Sequence, residues 1–172
     1  GPQLLLDARL SKVNQLSAAA LRAELEAVEP TQDLLLATDS PDTTRSITRL
    51  GDGAHNADIA KIVATLLFAN HASALIYSGQ ELGLAAGEIQ WGTPAAATSA
   101  AKKLSEDPLS VAAEESNPDS LLSWYRRLIA LHHSNATINS APTTITLDHD
   151  SENVLAWIRK PQVPTYKNPP VV

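Results

Sequence analysis

Carboxylates gather at two places in the chain, one with an imidazole and one with a guanidinium, and each place suggests its own chemistry. Asp148-His149-Asp150, with Glu152 close behind, puts three carboxylates and an imidazole within five residues. Hard oxygens beside an imidazole suit a divalent ion such as Zn or Mn, and a bound ion would activate water for hydrolysis, for instance of a phosphoester. The spacing matches no established ligand motif such as His-Glu-x-x-His. A turn between two strands is rich in Asp, Asn and Ser in any case. His132 and His133 are neighbours on an expected helix, so they point about 100° apart and do not chelate one ion together. The second place is the loop Asp39-Ser40-Pro41-Asp42-Thr43-Thr44-Arg45, with two carboxylates and a guanidinium after an apolar run. In such a Ser-Pro-Asp-Thr stretch Asp42 serves equally well as a turn or helix cap.

Hydrophobic spacing gives the elements that must position these groups. Leu34, Leu35 and Leu36 make a short apolar strand over residues 33–38, and residues 74–77 make another, closed by Gly79. Between them Ile59, Ile62, Val63, Leu66 and Leu67 recur at i, i+3, i+4, i+7 and i+8, one apolar stripe of a helix. Asn56 or Asp58 is placed to cap its first turn. Two apolar runs joined by an amphipathic helix predict a βαβ unit with a parallel sheet buried on both faces. Ser17 begins an earlier helix, with Leu21, Leu25 and Val28 on one side, Glu24 and Glu26 toward water, and Pro30 ending it. Asn117-Pro118-Asp119 reads as a helix start. Leu121, Leu122, Tyr125, Leu128, Ile129 and His132 follow as its buried stripe, with Arg126 and Arg127 solvated. At its end protonated His132 and His133 would suit the negative pole. Residues 87–111 read as a loop in which Trp91 is the one large apolar group. Residues 143–147 and 154–159 form a β-hairpin, and the Pro-rich tail beyond Pro161 is extended.

Arg45-Ser-Ile-Thr-Arg49-Leu-Gly51-Asp52, the helix, and then Leu75-Ile-Tyr-Ser-Gly79-Gln-Glu81-Leu-Gly83 resemble the last third of an α-amylase-clan catalytic barrel. The nearest branch is that of the α-glucosidases and oligosaccharide hydrolases. Ile89-Gln90-Trp91 looks like the family's Met-Gln-Trp, residues 118–131 like its eighth barrel helix, and Asn153-Val-Leu-Ala-Trp-Ile-Arg159 like an early strand of the β domain after the barrel. The likeness runs from about residue 15 onward. It implies an α/β chain: a fragment of a (β/α)8 barrel, about its last two βα units, over residues 1–135, followed by a β-hairpin opening the C-terminal β domain over residues 136–172.

The resemblance also implies roles. Asp42 falls on the family's Asp that hydrogen-bonds substrate hydroxyls and steadies the oxocarbenium-like transition state, Arg45 is expected among the substrate-binding residues, and Trp91 is either a sugar-stacking platform or a small hydrophobic anchor. Ser40 and Pro41 stand where the family has Asn and His. Proline has no side-chain donor, so that histidine's hydrogen bond to the sugar is not made. Retaining glycosidases also need a nucleophile and an acid whose carboxyls lie ~5–5.5 Å apart. In this family both come from strands upstream of the seventh, whereas the residues before Leu34 read as one helix and a short lead-in. Asp7, just before Arg9, matches neither motif. The expected function is a truncated α-glucosidase-like hydrolase with carbohydrate as its partner, no cofactor, and incomplete glycosidase chemistry. The alternatives are a metal-dependent hydrolase using Asp148, His149 and Asp150 in an oligomer, and a non-catalytic structural fragment.

The bounds of the chain agree with a piece. It has 172 residues, where a whole barrel takes ~250. It begins Gly-Pro, like a protease-cleaved tag, and has no Met. A net charge of −6, a pI near 5.3 and no basic cluster longer than a pair argue against nucleic acid and anionic membrane surfaces. No apolar run approaches the ~18 residues of a membrane span, so a soluble chain is expected, with its compartment open. The absence of cysteine removes disulfides and thiolate metal sites. Sheet edges left without their barrel neighbours predict self-association into a homo-oligomer.

Overall fold

The computed structural model describes residues 4–27, 34–85, 110–140, 143–147 and 151–160. Leu34, Leu36 and Ala37 are all but removed from water, and this run forms the central strand, β2 (Leu34–Ala37). On one side it pairs in parallel with β3 (Ser73–Leu75) and on the other with β1 (Leu5–Asp7), giving the order β1-β2-β3. β1 corrects the expectation of about two βα units preceded only by a helix and a lead-in. The run Leu4-Leu5-Leu6 is as apolar as that of β2, but three residues are too few to show a period, and what makes Leu5–Asp7 a strand is pairing with Leu34–Leu36.

Each strand is followed by helix. After β1 comes a 3-10 turn (Arg9–Lys12) and α1 (Ala18–Glu26), and after β2 come α2 (Ser46–Leu50) and α3 (Asn56–Phe68). β3 leads into a 3-10 turn (Gln80–Leu82), with α4 (Val111–Glu115), α5 (Leu121–Ser134) and α6 (Ala136–Ser140) further on. Among the described residues no helix is long and apolar enough to cross a membrane.

The caps explain where the helices start. Ser17 Oγ accepts the Ala20 N–H at 3.1 Å and starts α1 as its sequence suggests. α5 starts later than its Asn-Pro-Asp signal. Asn117 Oδ1 accepts the Asp119 N–H in a preceding turn, and Ser120 Oγ caps the helix by accepting from Ser123 N–H. The expected cap of α3 by Asn56 or Asp58 is not formed. His55 holds the cap position without a side-chain bond, and Asn56 Oδ1 instead accepts the Gly53 N–H at 2.9 Å.

Two apolar clusters hold the layers together. Leu34 and Leu36 of β2 meet Ala64, Leu67 and Phe68 of α3 and Leu121, Tyr125 and Leu128 of α5. Phe68 and Tyr125 pack edge to face, with centroids 5.8 Å apart. On the other side of α3, Ile59, Val63 and Leu66 meet Leu21 and Leu25 of α1. Each large apolar side chain contributes about 1.5–3 kcal/mol on burial, and α3 supplies buried residues to both clusters along its length. Ile62 is the exception to its expected stripe, at 44% exposure.

Strands β4 (Thr143–Leu147) and β5 (Ala156–Lys160) pair antiparallel, from Thr143 opposite Lys160 to Leu147 opposite Ala156. The segment before β5 is tied to α1 by Arg22 Nη2, which donates to the carbonyls of Ser151 and Val154, each at 3.1 Å. At the end of α5 the expectation of protonated imidazoles is corrected for His132. Burial, then His133 and Arg159, push its pKa below the ordinary value, which favours the neutral ring.

Candidate functional site at the strand ends

The candidate site lies where β2 and β3 end. In barrels of parallel strands this carboxyl-terminal edge is where loops bring functional side chains together. Thr38, Asp39 and Ser40 follow β2 and are buried. A buried carboxylate needs donors, and Asp39 Oδ1 accepts the Ser46 N–H at 2.6 Å, capping the first turn of α2. The loop between is closed by Thr43, whose Oγ1 accepts the Ser40 N–H at 3.2 Å. Arg49 braces it from below. Its Nε donates to the Val13 carbonyl at 2.8 Å, and its Nη2 donates to the carbonyls of Leu10 and Thr38 at 3.2 and 3.0 Å.

From β3 the chain turns sharply. Gly79 and Gly83 take positive φ of 86° and 70° on either side of the Gln80–Leu82 turn. This carries Gln80 inward, where Oε1 accepts the Tyr77 N–H at 3.1 Å and Nε2 donates to Thr38 Oγ1. The Tyr125 hydroxyl joins Gln80 from α5. Burial, then the Asp39 and Glu81 charges, push that phenol up, so it stays neutral. Thr38, Asp39, Gln80 and Tyr125 therefore form a polar cluster beneath the strand ends. The sequence marks Asp39 as a loop carboxylate and Tyr125 as part of a buried stripe but does not bring the four together, although a Tyr within a leucine stripe signals a buried hydroxyl in need of a partner.

The strand-end carboxylates differ in how they are engaged. Asp7, the last residue of β1, is paired with Arg9, Oδ2 to Nε at 2.6 Å. Asp39 is buried on Ser46, and Glu81 Oε2 accepts the Gly79 N–H at 2.9 Å. Asp42 is exposed, and its carboxylate makes no hydrogen bond or ion pair among the described residues. The expectation that Asp42 caps a turn or helix finds no such bond, because Asp39 does that work.

Arg45 is buried, with Nη2 donating to the Ser78 carbonyl at 2.8 Å and its guanidinium over the Tyr77 ring. Trp91 lies outside the described residues, as do Asp148, His149 and Asp150. Among the described residues no group of three or more His, Asp or Glu side chains is placed to hold a metal ion. The His132 and His133 rings stand 6.2 Å apart at 88°, consistent with their diverging along the helix.

The family model of the α-amylase catalytic domain matches residues 8–110, more than half of the chain, including the loops after β2 and β3 described above. The chain belongs to the α-amylase family. Among solved structures, this α-amylase-family chain is similar to isomaltulose synthase from Erwinia rhapontici NX5, at 19% identity and a TM-score of 0.63 over 84% of this chain and 36% of the synthase. It is also similar to trehalose-6-phosphate hydrolase from Bacillus licheniformis, at 17% identity and a TM-score of 0.57 over 74% of this chain and 32% of the hydrolase. At these identities the likeness shows the fold. The chain spans about a third of the length of these enzymes. Comparison with curated protein sequences finds no match.

Proposed function

We propose that this chain carries the sugar-contacting side of an α-glucoside hydrolase site and not the pair of groups that breaks the bond. The observation that carries the reading is Asp42: of the four carboxylates at the ends of the three strands, it is the one left exposed and unengaged among the described residues. An unpartnered carboxylate at the rim is available to accept hydrogen bonds from sugar hydroxyls and to face a developing positive charge. Arg45 acts through position. Its stack on Tyr77 and its bond to Ser78 hold the Asp42 loop against the end of β3.

Breaking the glycosidic bond by the family route needs a nucleophile and an acid ~5–5.5 Å apart. Asp7, Asp39 and Glu81 are each engaged elsewhere, so in this reading that pair comes from outside the chain. Strands β4 and β5 then begin the β domain that follows the barrel, and residues 1–135 are its barrel segment.

A chromogenic α-glucoside incubated with the purified chain tests the division. Background turnover only is expected. Turnover well above background that survives chelation and disappears in Asp42→Asn would place the complete chemistry within this chain and overturn it.

A further inference from the structure

A second concave surface lies away from the strand ends, between α1, α3, α5 and the segment leading into β5. It is a cleft of about 570 Å3, within the usual ~300–1,000 Å3 of small-molecule sites. Its floor is apolar, with Leu16, Leu21, Leu66 and Leu155 beside two indoles, Trp124 from α5 and Trp157 from β5. Ile62, the residue of the α3 stripe that the core leaves uncovered, also faces it.

Both indoles are fixed to α3. Trp124 Nε1 donates to the Lys61 carbonyl at 3.2 Å and to Thr65 Oγ1 at 3.3 Å, and Trp157 Nε1 donates to the Ala69 carbonyl at 3.2 Å. Each ring's one donor is thereby satisfied by protein. Both rings are oriented before any ligand arrives, and what they offer it is carbon surface. Arg127 lies 5.3 Å from the Trp124 ring centroid and further restrains that ring.

The rim is polar and of mixed sign. Asp58, Lys61, Glu152 and Asn153 border the cleft, and their side chains make no hydrogen bond among the described residues. Carboxylates accept, an ammonium donates, and an amide does both. A charged ligand meets both signs here. A ligand with a flat carbon face and an edge of hydroxyls, each able to donate and accept, matches both the floor and the rim.

We propose that this cleft is a binding site for a neutral pyranoside of one or two rings, separate from the strand-end loop, with Trp124 and Trp157 as its apolar floor and Asp58, Lys61, Glu152 and Asn153 as its hydroxyl-binding rim. The site does not depend on Asp42, so it stands or falls apart from the function proposed above.

Titration of the full chain with maltose, followed through the indole Nε1–H signals by NMR, tests it. The Trp124 and Trp157 signals should shift saturably. The double variant Asp58→Ala/Glu152→Ala changes two exposed side chains and should weaken binding by roughly ten-fold or more, whereas Asp42→Asn should leave it unchanged. No saturable shift overturns the site. So does binding that Asp42→Asn abolishes and the rim variant leaves intact, a result that would put the sugar at the strand ends. Saturation by choline but not by maltose would also overturn it, because aromatic surface with carboxylates would then be serving an organic cation.

Discussion

The Arg45 guanidinium lies 4.2 Å from the centroid of the Tyr77 ring, while its Nη2 donates to the next carbonyl, that of Ser78, at 2.8 Å. One side chain from the loop after β2 thus grips the end of β3 twice, by a cation–π stack and by a charge-assisted hydrogen bond. Its Nη1 is buried without a hydrogen-bond partner among the described residues. The strand ends are held in register by this contact as well as by the sheet.

Lysine cannot replace it. A compact ammonium keeps the charge and loses the planar stack and the fork geometry. Arg45→Lys is expected to lower the unfolding free energy by about 1–3 kcal/mol, read from the urea midpoint at an unchanged slope. A midpoint equal to wild type would show that the grip contributes nothing.

Gly79 takes φ +86°, and a Cβ built there falls 2.5 Å from Leu84 Cδ1. Gly79→Ala combines left-handed strain, about 1–2 kcal/mol, with displacement of the Leu84 side chain. The turn that carries Gln80 to Thr38 should loosen, and thermal unfolding should move down by several degrees. Gly53, also at positive φ but with open space around it, should tolerate alanine better. Equal losses at both positions would show that the packing at Gly79 is irrelevant.

Much of this arrangement was legible in the sequence. The leucine run of β2, the stripe of α3 and the start of α1 were carried by local patterns, and the family motif placed Asp42 after β2 and Gly79-Gln80-Glu81 after β3. What escaped was decided by partners distant in the chain. β1 is three residues, two of them exposed leucines, that become a strand by pairing with Leu34–Leu36. Asp39 and Asp42 are the same residue type in one loop, and only the fold shows which is buried on Ser46 and which is free. The two tryptophans of the cleft are separated by 32 intervening residues, and no local period relates them.

The histidines should separate on titration. Asp52 raises the His55 pKa through a hydrogen bond and its charge, and Asp52 itself is held down at about 2 by His55. The His55 contribution to stability is then complete below the unfolded value of ~6.5 and is lost as pH rises through the higher folded value. For His132 the folded pKa is depressed by burial. The unfolded chain binds its proton first, so stability is complete above ~6.5 and falls as pH drops toward the folded value. NMR titration should place His55 above and His132 below the ordinary imidazole midpoint. The reverse order would contradict the contacts described at both sites.

The sheet edge bears on assembly. Leu5 and Leu6 of β1 and Leu4 just before it are 70%, 51% and 60% exposed, and an apolar edge strand is a template for pairing with another chain. Sedimentation should show a homo-oligomer at micromolar concentration, and Leu5→Lys, a charge on that edge, should shift it toward monomer. A wild-type chain that stays monomeric would remove self-association from the account.

The most direct measurement is a calorimetric titration of the chain with a basic gluco-configured iminosugar, which carries the positive charge that an oxocarbenium-like transition state develops. The account predicts saturable binding by wild type and its loss in Asp42→Asn, with the stability of the variant unchanged within about 0.5 kcal/mol because Asp42 bonds to nothing in the described structure. Equal binding by both proteins, or none by either, would contradict the assignment of Asp42 as the sugar-facing carboxylate.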